Sequence, residues 1–321
     1  MLAARVHAWG EPPVVEEVAD PVPRDDEALI RVSAGAVGHV DRDIMGGRFV
    51  RHPPLPYVPG VEGAGAVVRS AAIPEDTHVW FRGAGLGTVA NGTWSELAAV
   101  REVALMLVPE GVEPMVAGTF FTAATSAHAA LHDVGEIRAG ERVAVRGAAG
   151  AVGSLSTQLA ILAGAGEVVG VVSGPDRPVP EGARSVVTGP DLAERVRAGG
   201  DGVDLLIDTV GGSGLEDLIE AVAPGGRIVL VGYTAGTRTE LDLSRLMHRD
   251  VRLLPLNMFR RERAAREAAP ELLDSLANGA LTMTVTTFPL REVGRALDAL
   301  ASGAFAGRIA LEPGSMREPW R

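Results

Sequence analysis

Three glycines, Gly147, Gly150 and Gly153, carry the first sign of chemistry in this sequence. They form the pattern G-x-x-G-x-x-G between an apolar stretch at residues 143–146 and a run whose leucines recur at helical spacing. In a strand–turn–helix unit of this kind, the first glycine turns the chain and the last lets helix and strand pack closely. The middle glycine allows a diphosphate to approach the backbone. The pattern therefore predicts a phosphate-binding turn.

The helix that follows this turn would supply the charge. Its first backbone N–H groups precede any intrahelical hydrogen bond and carry the positive end of the helix dipole. Ala151 and Val152, just before this helix, are expected to contact the diphosphate. Such a helix start binds anions. A glycine-rich turn without a ligand is the alternative interpretation, but the strand before it and the helix after it favour a dinucleotide.

The residues beyond the turn indicate which dinucleotide. Twenty residues after Gly153 the chain carries Ser173 and Gly174, and Arg177 follows shortly afterwards. Sheets that bind NAD usually place a carboxylate near this position. A serine and an arginine favour the 2′-phosphate of NADPH, because a carboxylate would repel that group and a guanidinium can hold it. Asp176 is the contrary feature, since it can bind a ribose instead. We therefore predict NADPH in preference to NADH.

Composition narrows the side-chain chemistry that can accompany this site. The 321 residues include no cysteine, and all 30 basic residues are arginines. These absences exclude a thiolate nucleophile, a cysteine-ligated zinc, a Schiff-base lysine and the Tyr/Lys pair of short-chain dehydrogenases. The remaining donors are His, Tyr, Ser, Thr, Arg and the backbone. A chain rich in Ala, Gly and Arg but without lysine is typical of a GC-rich bacterial genome.

Charge and hydropathy limit the partners. The net charge of -11 argues against nucleic acid, because phosphate backbones require a basic face. No apolar run reaches the roughly 18 residues that cross a bilayer, and the N-terminus lacks the apolar core of a signal peptide. We therefore expect a cytoplasmic protein that binds a small-molecule substrate, and neither nucleic acid nor membrane.

The secondary structure predicted around the glycine turn follows two different patterns along the chain. Up to about residue 115, short apolar runs alternate with Gly and Pro turns, which predicts a compact, mostly β domain. From residue 119, strands and helices alternate, which predicts a parallel sheet covered on both faces. Six strands are expected, at residues 143–146, 168–172, 185–187, 203–208, 227–231 and 251–254. A dinucleotide would lie across their carboxyl ends, where the strand order reverses.

We expect helices to cover this parallel sheet, and we expect the tail, from about residue 257 onwards, not to belong to it. The predicted helices between the strands are residues 154–163, 192–198, 214–222 and 243–248. The tail is predicted to contain two amphipathic helices and a strand, at residues 260–278, 290–300 and 307–311. We expect this tail to return to the first domain, because nothing in it could extend the parallel sheet. The predicted domains are therefore residues 1–118 with 257–321, and residues 119–256.

Six segments form a recognisable set. They are PLPYVPGVEGAG at 54–65, GTWSELAAV at 92–100, VRGAAGAVGS at 145–154, GVDLLIDTVGG at 202–212, APGGRIVLVG at 223–232 and GAFAGRIAL at 303–311. With this set the chain resembles the medium-chain dehydrogenase/reductase superfamily, in its zinc-free quinone oxidoreductase branch. The resemblance implies an α/β fold that combines a doubly wound Rossmann sheet with a GroES-like, mostly β catalytic domain made from both chain ends.

The same resemblance implies an activity and further contacts. It implies hydride transfer from NADPH to a quinone or an activated alkene, often in a homodimer. The nicotinamide would lie near Thr125 and near the loop that carries Gly232 and Tyr233. Val210, in the loop after the fourth strand of the sheet, is a further expected cofactor contact.

The resemblance is incomplete where metal and substrate would bind. Zinc-dependent members carry Cys where Gly38 stands and Gly-His-Glu where residues 60–62 stand, so we expect no metal site. Quinone reductases usually place Asn at the position of Gly38, and polyketide enoyl reductases often have a Tyr near Phe49 as proton donor. Neither donor exists in this chain.

Three residues remain as candidates for catalysis. His39 could donate to a substrate carbonyl or contact the cofactor diphosphate, or be a loop histidine bonded to the backbone. Asp41 could orient His39 or cap the turn that follows it. Tyr57 could donate a hydrogen bond to an oxyanion, or its ring could simply pack.

The leading hypothesis is an NADPH-dependent, zinc-independent oxidoreductase that reduces a quinone or an α,β-unsaturated carbonyl. Two alternatives share the same fold. One is a pathway-specific enoyl or imine reductase, or a non-redox catalyst of secondary metabolism, which the residues at Gly38 and Phe49 motivate. The other is a non-catalytic protein that binds NADPH.

Overall fold

Short strands joined by Gly and Pro turns make up the first third of the chain, as the apolar runs predict. The computed structural model describes residues 1–49, 52–303, 305 and 307–314. The first strands are β1 (Leu2–Arg5), β2 (Val14–Glu17), β3 (Glu27–Val37), β4 (Glu62–Arg69), β5 (His78–Arg82), β6 (Leu97–Arg101) and β7 (Leu105–Leu107). Helix α1 (His39–Met45) follows β3, and α2 (Pro114–Ala117) follows β7. The sequence indicated only β3 to β6, because the other strands are too short to show an alternating pattern.

Strands and helices then alternate, as the sequence predicts from residue 119 onwards. Helix α3 (Phe120–His128) continues directly as a π-helical turn, Ala129–Val134. The elements that follow are β8 (Arg142–Arg146), α4 (Ala151–Leu162), β9 (Glu167–Val172), β10 (Arg184–Val187), α5 (Leu192–Arg197), β11 (Val203–Asp208), α6 (Leu215–Ile219), β12 (Val222–Leu230), α7 (Leu243–His248) and β13 (Arg252–Pro255). The helix predicted at 214–222 is shorter than expected, because Val222 pairs with Val203 of β11 and already belongs to the sheet.

The tail contains one strand that the sequence did not indicate. Its elements are α8 (Glu262–Ala277), β14 (Val285–Pro289), α9 (Val293–Ser302) and β15 (Arg308–Glu312). The missed strand is β14, whose two threonines interrupt any apolar run. The motif at 303–311 includes Ala304 and Ala306, which lie outside the described residues.

Six parallel strands form one sheet in the order β10-β9-β8-β11-β12-β13. Numbered from β8, this is the order 3-2-1-4-5-6 of dinucleotide-binding folds. The order reverses between β8 and β11, where Arg146 pairs with Asp208 at the carboxyl ends of the two strands. The glycine turn that follows β8 therefore lies at the point of reversal, as the sequence predicted.

The remaining described strands build the other sheet and a small antiparallel pair. The larger sheet has the order β14-β15-β3-β4-β5-β7, with β6 paired to β3, and β1 pairs with β2. Strand β15 runs antiparallel to β3, so the end of the chain returns to the first sheet as predicted. Separate apolar cores support the two sheets. One gathers buried residues such as Tyr57, Trp94 and Ile309, and the other gathers residues such as Leu206 and Ile228.

The chain divides into two compact units. The first contains Met1–Thr122, Leu276–Asn278 and Met283–Arg321, and the second contains Ala123–Ser275 and Gly279–Thr282. The predicted first domain includes residues 257–321, but most of α8 belongs to the second unit. Helical periodicity predicts an apolar face on α8, and it cannot say which core will bury that face. Within the described ranges, every helix is too short or too polar to span a membrane.

Candidate functional site

The glycine turn after β8 has the predicted geometry at its first and last glycines. Gly147 has φ +81°, and a Cβ there would lie 2.4 Å from Oγ1 of Thr209. At Gly153 a Cβ would lie 2.0 Å from the carbonyl oxygen of Gly147. Any side chain at position 153 would therefore push the start of α4 away from the end of β8.

The middle glycine is different. Gly150 has ordinary backbone angles, φ -79° and ψ 166°, and a Cβ there would meet only the carbonyl oxygen of Gly147, at 3.3 Å. The fold itself therefore does not require glycine at position 150. The approach of a diphosphate, which the sequence pattern predicts, is the role that this geometry leaves for it.

The start of α4 presents unpaired backbone donors beside this turn. The first intrahelical hydrogen bond of α4 joins the N–H of Ser154 to the carbonyl oxygen of Gly150, at 2.7 Å. The N–H groups of Ala151, Val152 and Gly153 precede that bond and have no carbonyl within the helix. Their dipoles align with the helix axis, so this end of α4 is suited to an anion.

The loop after β9 lies at the same edge of the sheet. Ser173 directly follows β9 and is exposed, whereas Arg177 is half-buried. The N–H of Arg177 donates to the carbonyl oxygen of Gly174 at 3.2 Å, which closes a turn and returns the arginine towards the end of β9. The three residues predicted to recognise the 2′-phosphate thus belong to one short turn.

The loop after β11 is held by a buried ion pair. Oδ1 of Asp208 accepts hydrogen bonds from the N–H groups of Val210 and Gly211, at 2.9 Å and 3.1 Å. The Arg146 guanidinium lies 3.4 Å from Asp208 and donates to the carbonyl oxygens of Gly211 and Ser213, at 3.1 Å and 2.8 Å. Because both charged side chains are buried, they tie the end of β8 to the loop after β11.

The residues predicted to approach the nicotinamide also belong to the second unit. A Cβ at Gly232 would lie 2.3 Å from the carbonyl oxygen of Thr209, so only glycine fits there. Tyr233 is 60% exposed, and Thr125 is buried on α3. Their contact with a nicotinamide stays a prediction.

A second set of candidate residues lies around α1 in the first unit. Oδ2 of Asp41 accepts the N–H of Gly38 at 2.9 Å, and Oδ1 accepts the N–H of Val61 at 3.1 Å. Burial raises the pKa of Asp41 to about 6, although the two backbone hydrogen bonds and Arg308 act in the opposite direction. Asp41 is the third residue of α1, so its carboxylate holds the N–H of Gly38 before the helix and does not cap the turn that follows it. Among the described residues, none of its hydrogen bonds reaches His39.

His39 and Tyr57 present unsatisfied polar atoms in this region. Nδ1 of His39 and the hydroxyl of Tyr57 are buried, and neither has a hydrogen-bond partner in the part of the chain that the structure describes. Burial, and then the charge of Asp41, raise the pKa of Tyr57, so its hydroxyl keeps its proton. Burial and the charge of Arg42 lower the pKa of His39, so its imidazole is neutral at pH 7. The ring of Tyr57 also packs in the core, 5.7 Å from the ring of Trp9 between centroids.

The predicted site residues therefore fall into two sets, each within one unit. The catalytic candidates belong to the first unit. His39 and Asp41 are on α1, and Tyr57 lies near it. The cofactor candidates in the second unit are Thr125, Gly147, Gly150, Ala151, Val152, Gly153, Ser173, Gly174, Arg177, Val210, Gly232 and Tyr233. Apart from Thr125, which is on α3, these follow the carboxyl ends of β8, β9, β11 and β12.

Comparisons with known proteins agree with this architecture. Residues 24–110 match the family described as "Alcohol dehydrogenase GroES-like domain", and residues 151–278 match the family described as "Zinc-binding dehydrogenase". The chain is 30% identical over 247 residues to the quinone oxidoreductase of Sus scrofa, which covers 72% of this chain and 73% of that protein. It is 26% identical over 325 residues to the human quinone oxidoreductase, with 97% of each chain covered.

A solved structure shows the same fold. The quinone oxidoreductase of Thermus thermophilus, described together with its complex with NADPH, superimposes with a TM-score of 0.82 at 28% identity. The match covers 97% of this chain and 100% of that chain. The protein therefore belongs to the medium-chain dehydrogenase/reductase superfamily, among its quinone oxidoreductase-like members. It is an oxidoreductase, and the predicted family, fold class and enzyme class are confirmed.

The residues at the family's metal position do not fit a zinc ion. Gly38 has no side-chain donor, and the chain has no cysteine. Glu62 instead accepts hydrogen bonds from the backbone N–H and the hydroxyl of Thr122, and Arg308 lies 3.5 Å from it. Within the described ranges, no three His, Cys, Asp or Glu side chains are grouped so that they could hold a metal.

Two arginines that are not among the predicted site residues lie in these regions. Arg146 ends an otherwise apolar strand, and that position was the available signal for a buried ion pair. Arg42 lies three residues after His39, a spacing that puts both side chains on one face of a helix. Arg146 lies within the segment VRGAAGAVGS, whereas Arg42 lies in none of the six segments.

Substitutions at two glycines should separate ligand binding from folding. Gly153→Ala places a Cβ against the backbone of Gly147 and should lower the unfolding free energy by about 1–3 kcal/mol. Gly150→Ala meets no such obstacle and should change the unfolding free energy by less than about 0.5 kcal/mol. It should nevertheless weaken NADPH binding by about 10- to 100-fold, because the methyl group keeps the diphosphate from the helix N–H groups.

Urea unfolding and calorimetric titration with NADPH measure the two effects. Gly294→Ala is the matched control, because a Cβ there meets nothing within 4 Å. Unchanged NADPH affinity in the Gly150→Ala variant would show that no diphosphate approaches this position.

Removing the carboxyl of Asp41 should change how stability depends on pH. The pKa of Asp41 is raised from 3.8 to about 6, so the folded protein keeps a proton that the unfolded chain releases. The stability from this group is fully present below the unfolded pKa and is lost as pH rises through the folded pKa, a loss of about 3 kcal/mol. Asp41→Asn cannot ionise and avoids that loss.

Urea unfolding of both proteins between about pH 3 and pH 7 checks this expectation. The variant should gain about 3 kcal/mol relative to the wild type over that range, whatever its stability at the lower pH. A difference that does not vary with pH would mean that Asp41 titrates at its ordinary pKa.

Proposed function

We propose that this oxidoreductase uses NADPH to reduce a quinone or an α,β-unsaturated carbonyl compound, and that it does so without zinc. The observation that supports this substrate class is that two buried polar atoms, Nδ1 of His39 and the hydroxyl of Tyr57, have no hydrogen-bond partner among the described residues. The observation that supports the cofactor is the glycine turn before α4. The Thermus relative, at 28% identity, is described in a complex with NADPH, and the pig and human relatives are named quinone oxidoreductases.

Three groups of residues would hold NADPH. The diphosphate would lie on the glycine turn and the start of α4, and the 2′-phosphate beside the turn that contains Arg177. The residues expected near the nicotinamide are Thr125, Val210, Gly232 and Tyr233. When bound, NADPH supplies the hydride, and the protein supplies orientation and stabilisation of charge.

The donors around α1 suit the charge that this reaction develops. When a hydride adds to the β-carbon of an enone, negative charge grows on the carbonyl oxygen, and a positioned donor lowers the barrier. The hydroxyl of Tyr57 would donate to that oxygen because its proton is retained and has no other acceptor. Neutral His39 would donate a second hydrogen bond in the tautomer that carries the proton on Nδ1. The α-carbon would then take its proton from water, so each substrate receives one hydride and one proton.

Turnover by purified protein tests the proposal. NADPH should be oxidised in the presence of at least some members of a panel of quinones and cyclic or open-chain enones, and dialysis against EDTA should leave the rate unchanged. Tyr57→Phe should lower kcat for an enone by roughly 10²-fold, because one oxyanion donor is lost. Its melting temperature should not fall, because the hydroxyl that is removed has no hydrogen bond to lose.

Thr287→Val is the control for that variant, because it removes an exposed hydroxyl on β14 and Thr287 belongs to neither set of candidate site residues. Failure of the whole panel would refute the reductase. Product formed without consumption of NADPH would favour a non-redox catalyst, and NADPH binding without any hydride transfer would favour a binding protein. Turnover confined to a microbial secondary metabolite would favour a pathway-specific enoyl or imine reductase.

Cofactor preference should depend on Arg177. Arg177→Ala should raise the Kd of NADPH by about 10- to 100-fold, because charge-assisted hydrogen bonds to the 2′-phosphate are lost. The Kd of NADH should stay nearly the same, because NADH lacks that phosphate. Titration of each reduced coenzyme by fluorescence measures both constants.

The neighbouring carboxylate provides the control for this prediction. Asp176→Asn should not weaken NADPH, because it removes a charge that repels the phosphate. If Asp176 instead binds a ribose, this variant will weaken NADH and Arg177→Ala will not discriminate between the coenzymes. The homodimer and the cytoplasmic location stay predictions from the sequence.

A further inference from the structure

Unsatisfied polar atoms are concentrated around α1. In the part of the chain that the structure describes, five buried side-chain nitrogen or oxygen atoms have no hydrogen-bond partner, and three of them belong to this region. The three are Nδ1 of His39, Nε of Arg42 and the hydroxyl of Tyr57. Each unsatisfied group costs about 1–3 kcal/mol, so a folded protein keeps few of them. Three in one place point to a ligand that would satisfy them.

Arg42 is the member of this cluster that the proposed reaction does not use. It is half-buried, and its guanidinium makes no hydrogen bond or ion pair with any described residue. The two carboxylates next to Arg42 in sequence, Asp41 and Asp43, have other partners. Asp43 pairs with Arg48 at 2.9 Å, and the two oxygens of Asp41 accept backbone N–H groups of Gly38 and Val61. A guanidinium with a buried nitrogen and no counter-ion is costly, because its charge is partly withdrawn from water.

The position of Arg42 places it beside the two proposed donors. Arg42 lies three residues after His39 on α1, so the two side chains share a face of the helix. Its charge is close enough to contribute to the lowered pKa of His39. Tyr57 belongs to the same apolar core as Ile44 and Met45 of α1, and its hydroxyl lies within the field of Asp41.

The chemistry of these atoms limits the ligand. The Nε of arginine only donates, and a tyrosine hydroxyl or an imidazole nitrogen can donate. A ligand that satisfies all three must therefore offer several acceptor oxygens, and the arginine requires that one group of them be negatively charged. A planar carboxylate matches a guanidinium in shape and charge.

We propose that Arg42 binds a carboxylate of the substrate, so that the substrate class is an unsaturated oxo acid rather than a neutral quinone or enone. The proposal rests on the function proposed above, and it places the substrate carbonyl at Tyr57 and His39 and the carboxylate at Arg42. NADPH also carries oxyanions, and its diphosphate is assigned above to the start of α4. The experiment below distinguishes a role of Arg42 in substrate binding from a role in cofactor binding.

A matched pair of substrates tests this inference. The probes are 4-oxopent-2-enoate and its methyl ester, which contain the same enone and differ in one negative charge. For the wild type, kcat/KM should be about 10-fold or more higher for the acid than for the ester. Arg42→Gln should abolish that preference, mainly through a higher KM for the acid, and should leave the ester unchanged. Arg42→Lys should restore part of the preference because it keeps the charge.

Arg48→Gln is the control variant, because Arg48 lies just beyond α1 and its side chain is exposed and paired with Asp43. It should behave like the wild type towards both probes. Melting temperatures should show that Arg42→Gln is no less stable than the wild type, since the side chain that it replaces has no partner in the described structure. Equal turnover of acid and ester by the wild type would overturn the proposal.

Binding without turnover separates this inference from the redox function. Calorimetry with 4-oxopentanoate and its methyl ester, which lack the reducible double bond, should show that the wild type prefers the acid and that Arg42→Gln does not. If this preference appears but no acceptor is ever reduced, the carboxylate site stands and the proposed reductase fails. If Arg42→Gln weakens NADPH binding and shifts acid and ester equally, Arg42 serves the cofactor and the proposal is wrong.

Discussion

In the second unit the start of α4 meets the end of β8 through backbone alone, and the arrangement of the surrounding loops depends on this contact. The start of α4 packs against the end of β8 so tightly that a Cβ at Gly153 would lie 2.0 Å from the carbonyl oxygen of Gly147. The N–H groups of Gly147 and Ala148 bond to Val171, which connects the turn to β9. Because no side chain separates these segments, the free N–H groups of α4 lie directly at the carboxyl edge of the sheet. An anion can then meet them without any movement of the fold.

A buried ion pair holds the loop on the other side of the point where the strand order reverses, between β8 and β11. Arg146 and Asp208 end neighbouring strands, and their buried pair holds the loop after β11 by its carbonyl oxygens and N–H groups. A buried ion pair contributes little net stability, because desolvation offsets the attraction. Its effect here is geometric, since the directional hydrogen bonds of both partners determine where that loop begins. The two loops that flank the reversal are therefore held relative to each other before any ligand arrives.

The first unit shows an asymmetry between acceptors and donors. Its buried carboxylates are satisfied, Asp41 by two backbone N–H groups and Glu62 by Thr122 and Arg308. Among the residues that the structure describes, the buried side-chain atoms of this unit without partners belong to His39, Arg42 and Tyr57, which can all donate. A site that keeps its acceptors occupied and its donors free is prepared for a ligand rich in oxygen.

The sequence alone was sufficient for the repeating features of this protein. Strand and helix periodicity predicted the six-stranded sheet, and the glycine spacing predicted the turn before α4, because both depend on short stretches of chain and on steric rules that hold everywhere. It was insufficient for the assignment of α8, for β14 and for the roles of Asp41, Arg42 and Arg146. Those depend on which distant groups come within hydrogen-bond distance, and a residue's own neighbours in sequence carry no information about that. The tertiary structure decided them, because only folding determines which buried polar atoms find partners and which remain for a ligand.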